Sequence, residues 1–291
     1  MDSGTGSTIG ATTTIGKLIF IILALVALYY LYRFLYGGYD NVGTTVLKGV
    51  KSANPQQPYI TTAPSIPSLM EGGEYSVNFW MYIQDYSINR GRNKHVISLG
   101  GSNFLTLAVY LGPFKNSLQV RVHTSDQTCT TLGTATSGTN SPNATNTPDN
   151  LCMSTLPNIF GSAQLDTSLI SSTRPCDLQS VDMQKWVQIS VILNNKTCDV
   201  YMDGKLARSC VLPSFYRVSQ TGQKINVCDF GGFGGYVSNV SVYNYSLNPE
   251  QVWRLYMSGP GPNYGIGDYI ASLFDPNALG ATDYPKQNIP A

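Results

Sequence analysis

Fifteen consecutive uncharged residues, Leu18 to Tyr32 (LIFIILALVALYYLY), stand near the N-terminus of the 291-residue chain. Few structures accept such a run. A helix satisfies its backbone groups internally, and lipid is the solvent that suits one apolar on every side. Arg33 interrupts the run, and Phe34, Leu35 and Tyr36 continue it. From Leu18 to Tyr36 a helix would span ~28 Å at ~1.5 Å per residue, close to the ~30 Å hydrocarbon core of a bilayer. The sequence therefore predicts a single-pass membrane anchor over 17–36 behind a short polar tail, 1–16. The side chains that would carry it are Leu18, Ile19, Phe20, Ile21, Ile22, Leu23, Leu25, Val26, Leu28, Tyr29, Tyr30, Leu31 and Tyr32.

A cleaved secretory signal fits less well, since it needs a basic region before a shorter apolar core and a small-residue cleavage site after it. Only Lys17 precedes the run, and the tyrosines at its end, with Tyr36, resemble an interfacial aromatic belt. Two signals disagree about orientation. Arg33, Lys48 and Lys51 follow the run, so the positive-inside rule puts the C-terminal part on the cytoplasmic face. Six cysteines and the sequons at Asn143, Asn195, Asn239 and Asn244 are features of a secretory lumen instead.

Beyond the anchor the periodicity is that of strands. In Tyr75–Ile83, Val77, Phe79, Met81 and Ile83 alternate with Ser76, Asn78, Trp80 and Tyr82, which puts the first set on one face. Similar strands are predicted at 95–99, 104–111, 117–122, 186–193, 197–202, 205–210 and 224–228, with a last core strand after the Gly-rich 231–235. Asn248, Pro249 and Glu250 open one short helix. The resulting plan is a linker with a first edge strand (37–73), a β domain (74–259) interrupted by an insertion (124–175), and an extended C-terminal arm (260–291) that orders on a partner or along its own domain. The insertion is rich in Ser, Thr, Asn and Gly, and is expected to bury little core. A net charge of +1 and only 12% charged residues argue against a nucleic-acid partner.

The six cysteines allow 15 disulfide connectivities or, in a cytosolic domain, buried free thiols, and no zinc spacing is present. Cys129–Cys152 would staple the insertion. Asp203-Gly204 between two strand runs is a strong hairpin signal. A two-residue turn there pairs Met202 with Lys205 and Asp199 with Arg208, and points Cys198 and Cys210 to opposite faces unless a bulge intervenes. Cys176–Cys210 and Cys198–Cys228 are then the expected remaining bonds.

Taken in order, Glu74–Ile83, Lys185–Val191, Asp199–Leu206, Gly232–Val240 and Tyr243–Val252 resemble the concanavalin A-like (laminin-G-like) antiparallel β-sandwich, a jelly roll. With the N-terminal anchor, Gly72–Val77, Arg174–Asp177, Asp203–Cys210 and Tyr256–Pro260, the chain is similar to membrane-anchored versions in virions of large DNA viruses of algae and amoebae. That resemblance implies a minor capsid protein that tethers an internal membrane to the capsid shell, with capsid proteins and other minor virion proteins as partners. In the host it implies endoplasmic-reticulum-derived membrane and a cytosol-facing domain whose thiols a viral system oxidises.

Catalysis is not expected. Glycosidases of this sandwich class need two carboxylates ~5–5.5 Å apart, and the three glutamates, Glu71, Glu74 and Glu250, do not alternate on one strand. The alternative to a scaffold is a lectin-like attachment protein, with Trp80, Tyr82, Tyr201 and Tyr243 stacking on sugar rings. No cofactor is expected, apart from a calcium ion for which Asp199 and Asp229 are the candidates.

Overall fold

The computed structural model describes residues 8–36, 43–62, 65–67, 69–127, 129, 151–163 and 176–261. In the first segment, side chains are placed at 16, 17 and 19–31. The C-terminal arm from 262 onward, most of the insertion and Asn143 lie outside the described residues. The chain divides into two compact units, Met1–Val42 and Gly43–Ala291.

In the first unit, helix α1 (Thr8–Tyr36) begins inside the predicted polar tail. Its placed large apolar side chains, from Ile19 to Leu31, are 45–72% exposed and cover every side of the helix. Among the described residues no helix is long and apolar enough to cross a membrane. The placed side chains stop at Leu31, and those of Leu18 and 32–36 lie outside the described set.

The second unit is two antiparallel sheets. Strands β1 (Gly43–Ser52), β3 (Glu74–Asp85), β7 (Trp186–Asn194), β8 (Thr197–Met202), β9 (Lys205–Val211) and β11 (Gly234–Tyr243) form a six-stranded sheet in the order β1-β11-β3-β7-β8-β9. Strands β2 (Tyr59–Thr62), β4 (Lys94–Gly100), β5 (Leu105–Leu111), β6 (Leu118–Val122) and β10 (Lys224–Val227) form a five-stranded sheet in the order β2-β10-β4-β5-β6. The chain crosses between sheets repeatedly and pauses for two meanders, β4-β5-β6 and β7-β8-β9. Both strands of the predicted linker are integral to the sheets: β1 edges one and β2 the other.

The alternation that predicts β3 sets its inner face. Tyr75, Val77, Phe79, Met81 and Ile83 are fully buried against Leu99, Leu107, Val109 and Leu111 of the other sheet. Each such side chain contributes about 1.5–3 kcal/mol of burial free energy. Helix α2 (Pro249–Met257) is closed by a capping box in which the Asn248 side chain accepts from Gln251 N–H and the Gln251 side chain accepts from Asn248 N–H.

Two expectations are corrected here. The insertion does bury core: Leu151, Leu156, Ile159 and Phe160 form a second apolar cluster with Leu105, Ala108 and Tyr110, on the outer face of the five-stranded sheet. The β8–β9 register also slips by one after Leu206. A bulge at Ala207 pairs Val200 with Arg208, Asp199 with Ser209, and Cys198 with Cys210. Asp199 therefore accepts a hydrogen bond from Ser209 Oγ (2.5 Å) in place of the expected Arg208 pair.

Candidate functional site

The outer face of the six-stranded sheet carries the polar halves of the alternating strands. Its middle is covered by 244–261, including α2. There Ser76 Oγ donates to Tyr245 O (2.8 Å) and accepts from Leu247 N–H (3.0 Å). Gln188 Nε2 donates to Asn78 Oδ1 (2.5 Å) and Ser190 Oγ (2.8 Å), and Gln188 Oε1 accepts from Gly204 N–H (3.0 Å). These buried amides are satisfied, as buried polar groups must be.

This cover decides the fate of the predicted stacking residues. Trp80 is 4% exposed, its ring stacked on Tyr256 at 5.8 Å between centroids. Tyr201 and Tyr243 are each 8% exposed and pack with Ile192, Leu247 and Val252 under the helix. Three of the four rings therefore serve to seat α2 and present no face to a sugar. Tyr82 differs. Beyond the helix, Tyr236, Tyr82 and Trp186 stand in one row across β11, β3 and β7. All three are half-buried, with centroids 6.2 Å (Tyr236–Tyr82) and 5.6 Å (Tyr82–Trp186) apart. Lys185 lies beside the row and bridges Asp182 (2.6 Å) and Asp203 (3.5 Å). Hydrogen bonding to Asp182 and the charge of both aspartates hold its ammonium above its ordinary pKa. On α2, Trp253 is 45% exposed and tilts against Tyr256. The sequence alone does not single out Trp186 and Tyr236 beside Tyr82. The signal for them is that both fall on the polar phase of their strands, in line with Tyr82.

The remaining candidates are dispersed. Glu71 faces Arg217 (3.6 Å), Glu74 accepts from Ser246 N–H (3.2 Å), and Glu250 pairs with Arg254 (2.5 Å). Asp199 lies on β8 of one sheet, whereas Asp229 follows β10 of the other and accepts from Asn226 Nδ2 (2.9 Å) and Phe230 N–H (2.8 Å). The structure does not gather them into a calcium site. His95 is fully buried beside the stacked rings of Phe160 and Phe230, and its Nδ1 accepts from Asp229 N–H (3.0 Å). Burial pushes its pKa down to about 4, against the opposing charge of Asp229. His123 is stacked on Phe104 at 4.3 Å, and burial, then the Arg217 charge, likewise lowers it to about 4. Both histidines are packing residues. The sequon asparagine Asn239 is buried, accepts from Gly49 N–H (3.2 Å) and donates to Gly259 O (3.3 Å) and Gly261 O. Asn195 and Asn244 are exposed.

Two disulfides are present, Cys129–Cys152 and Cys176–Cys210. The third expected bond, Cys198–Cys228, is absent, and both residues are buried free thiols. Cys198 lies in β8 of the six-stranded sheet with its sulfur within 4.8 Å of those of Cys176 and Cys210, whereas Cys228 follows β10 of the five-stranded one.

No protein-family model matches the chain, and no curated protein matches it. Among solved structures it is similar to the binding domain of botulinum neurotoxin serotype G (TM-score 0.44, 13% identity, 76% of this chain and 47% of that one). It is also similar to the ligand-binding domain of serotype D in complex with N-acetylneuraminic acid (0.43, 11%, 76% and 47%). A third likeness is to the binding domain of Paraclostridial Mosquitocidal Protein 1 (0.41, 12%, 76% and 48%). The chain spans less than half the length of each. Likeness at this level extends to no ligand and no site.

Proposed function

We propose that this chain is a membrane-anchored, non-catalytic structural protein of a virion, whose concanavalin A-like (laminin-G-like) sandwich tethers an internal membrane to the capsid shell. The observation that carries the tether is α1, a helix whose placed apolar side chains are exposed on every side. Such a surface in water is an association site, and the sequence from Leu18 to Tyr36 has, as a helix, the length of a bilayer core. The capsid role rests on the residues that resemble the viral sandwich proteins. The dispersal of the three glutamates, each with its own partner, supports a non-catalytic domain.

The test is flotation of the full chain with liposomes. The wild type floats, and Leu23→Arg/Leu28→Arg stays at the bottom, because each arginine near a helix centre costs about 2.5–3.5 kcal/mol of insertion. A double variant that floats as well as the wild type sinks the anchor.

A second reading is favoured by the aromatic row. Tyr236, Tyr82 and Trp186 offer half-exposed rings at roughly the spacing of linked sugars, with Lys185, Asp182 and Asp203 at the rim for hydroxyls. Under that reading the sandwich binds a glycan. On a glycan array, Trp186→Ala then loses a signal that Trp80→Phe retains.

A further inference from the structure

Away from the aromatic row, the sulfurs of Cys176, Cys198 and Cys210 all lie within 4.8 Å of one another. Cys176 and Cys210 are bonded, while Cys198 is a thiol with no solvent exposure. The Ala207 bulge creates this arrangement. It sets Cys210 directly opposite Cys198, with Cys210 Sγ 3.4 Å from Cys198 O. Directly opposed residues of antiparallel strands have Cα atoms ~4.5–5.5 Å apart, inside the ~4.4–6.8 Å range of disulfides. Cys210 thus has two bonding partners within reach, one on the neighbouring strand and one on the segment 176–181.

That segment is a clasp. Leu178 exchanges backbone hydrogen bonds with Leu118 on the edge of the five-stranded sheet (2.9 Å each), and Asp177 pairs with Arg121 there. The Cys176–Cys210 bond ties the same segment to β9, the edge of the six-stranded sheet. The segment is therefore held to the five-stranded sheet by hydrogen bonds and an ion pair, and to the six-stranded sheet by the disulfide.

We propose that the three cysteines form a thiol–disulfide exchange site that moves the bond from Cys176–Cys210 to Cys198–Cys210 and opens the clasp. Cys198 gives up its proton and its thiolate attacks Cys210 Sγ. The Cys198–Cys210 bond forms and the Cys176–Cys210 bond breaks. The electron pair leaves on Cys176, which takes up a proton. The number of disulfides is unchanged, so no oxidant or reductant is consumed. Attack on Cys176 instead would strand a Cys210 thiolate in the core. Cys176 is half-buried and is the better-solvated leaving group. Burial holds Cys198 protonated, its pKa pushed up to about 12, so exchange awaits local opening of the β8–β9 edge. The product frees the insertion's end from the six-stranded sheet, while Cys129–Cys152 stays closed.

The test uses the full chain in detergent micelles without reductant. N-ethylmaleimide is added for increasing times, the reaction is quenched in acid, and tryptic peptides are mapped unreduced by mass spectrometry. Trypsin places Cys198 in 197–205, Cys210 in 209–217 and Cys176 in 122–185, since Arg174 precedes a proline, so each bond has its own mass. Exchange predicts a growing 197–205/209–217 linked pair together with label on Cys176. Cys198→Ala loses that label, and Cys228→Ala keeps it. A wild type whose 209–217 peptide stays bonded to 122–185 throughout overturns the proposal, as does equal Cys176 labelling in Cys198→Ala. The wild-type map decides the question even if Cys198→Ala fails to fold.

Discussion

Removing the carboxylate of Asp177 tests how the clasp holds the sandwich. Asp177 accepts from Arg121 Nη1 (2.5 Å) and Nη2 (3.1 Å) and from Val120 N–H (3.2 Å). The two side chains are only 10% (Arg121) and 7% (Asp177) exposed. Breaking a buried pair costs about 3–5 kcal/mol, because the remaining charge is left uncompensated. Arg121 would keep Val120 O (2.9 Å), Gln119 Oε1 (3.2 Å) and the Tyr110 ring, which places Asp177→Ala at the low end, about 3 kcal/mol. That is a large share of the ~5–15 kcal/mol typical of a domain. It corresponds to a fall in Tm of roughly 6–12 °C at ~2–4 °C per kcal/mol for a domain of this size. The assay is thermal and urea unfolding of the detergent-solubilised chain, followed by tryptophan fluorescence. The double variant Arg121→Met/Asp177→Leu recovers most of the loss, because no charge is left buried. A loss below about 1 kcal/mol for Asp177→Ala, or a double variant no better than the single, refutes the reasoning.

Other outcomes follow from the same structure. The fold keeps His95 neutral with a pKa near 4, below its ordinary 6.5, so its contribution is complete above pH 6.5 and is lost as pH falls toward 4. Unfolding measured from pH 7 to 5 therefore shows stability falling with pH. His95→Gln flattens that slope and leaves the share of His123; an unchanged slope contradicts the assignment. Gly204 sits at φ +76° with its α-hydrogen position against Trp253, where an added Cβ would lie 2.8 Å from Cε3. Gly204→Ala should cost about 1–3 kcal/mol through the strained turn and displaced helix, and a neutral urea midpoint would show that Trp253 does not pack there. Thiol titration without reductant should find two reactive groups after unfolding, Cys198 and Cys228, and four would contradict the observed bonding.

Where one physical signal dominated, the fold was legible in the sequence. Strict alternation located β3 and β7 and their buried faces, and Asp203-Gly204 located the hairpin turn. The hairpin's register was not legible beyond Leu206. A bulge is one extra residue, Ala207, and nothing local distinguishes it from its neighbours; it moved Arg208 and Cys210 to new partners and so decided the cysteine geometry. The insertion's apolar residues, Leu151, Leu156, Ile159 and Phe160, are a minority within a polar stretch, and composition averaged them away. At the candidate site, alternation correctly put Trp80 and Tyr82 on the outer face. It could not show that α2 covers Trp80, Tyr201 and Tyr243, because that cover is a tertiary contact made from 244–261. What remains exposed is the row at the sheet's end, where Tyr82 meets Trp186 and Tyr236.

The most direct test of a tether between membrane and shell is protease protection of purified intact particles, with and without detergent, followed by mass spectrometry of this chain. The account predicts that peptides from 43–261 appear only after the shell is opened. Their release from untouched particles would place the sandwich outside and contradict the tether.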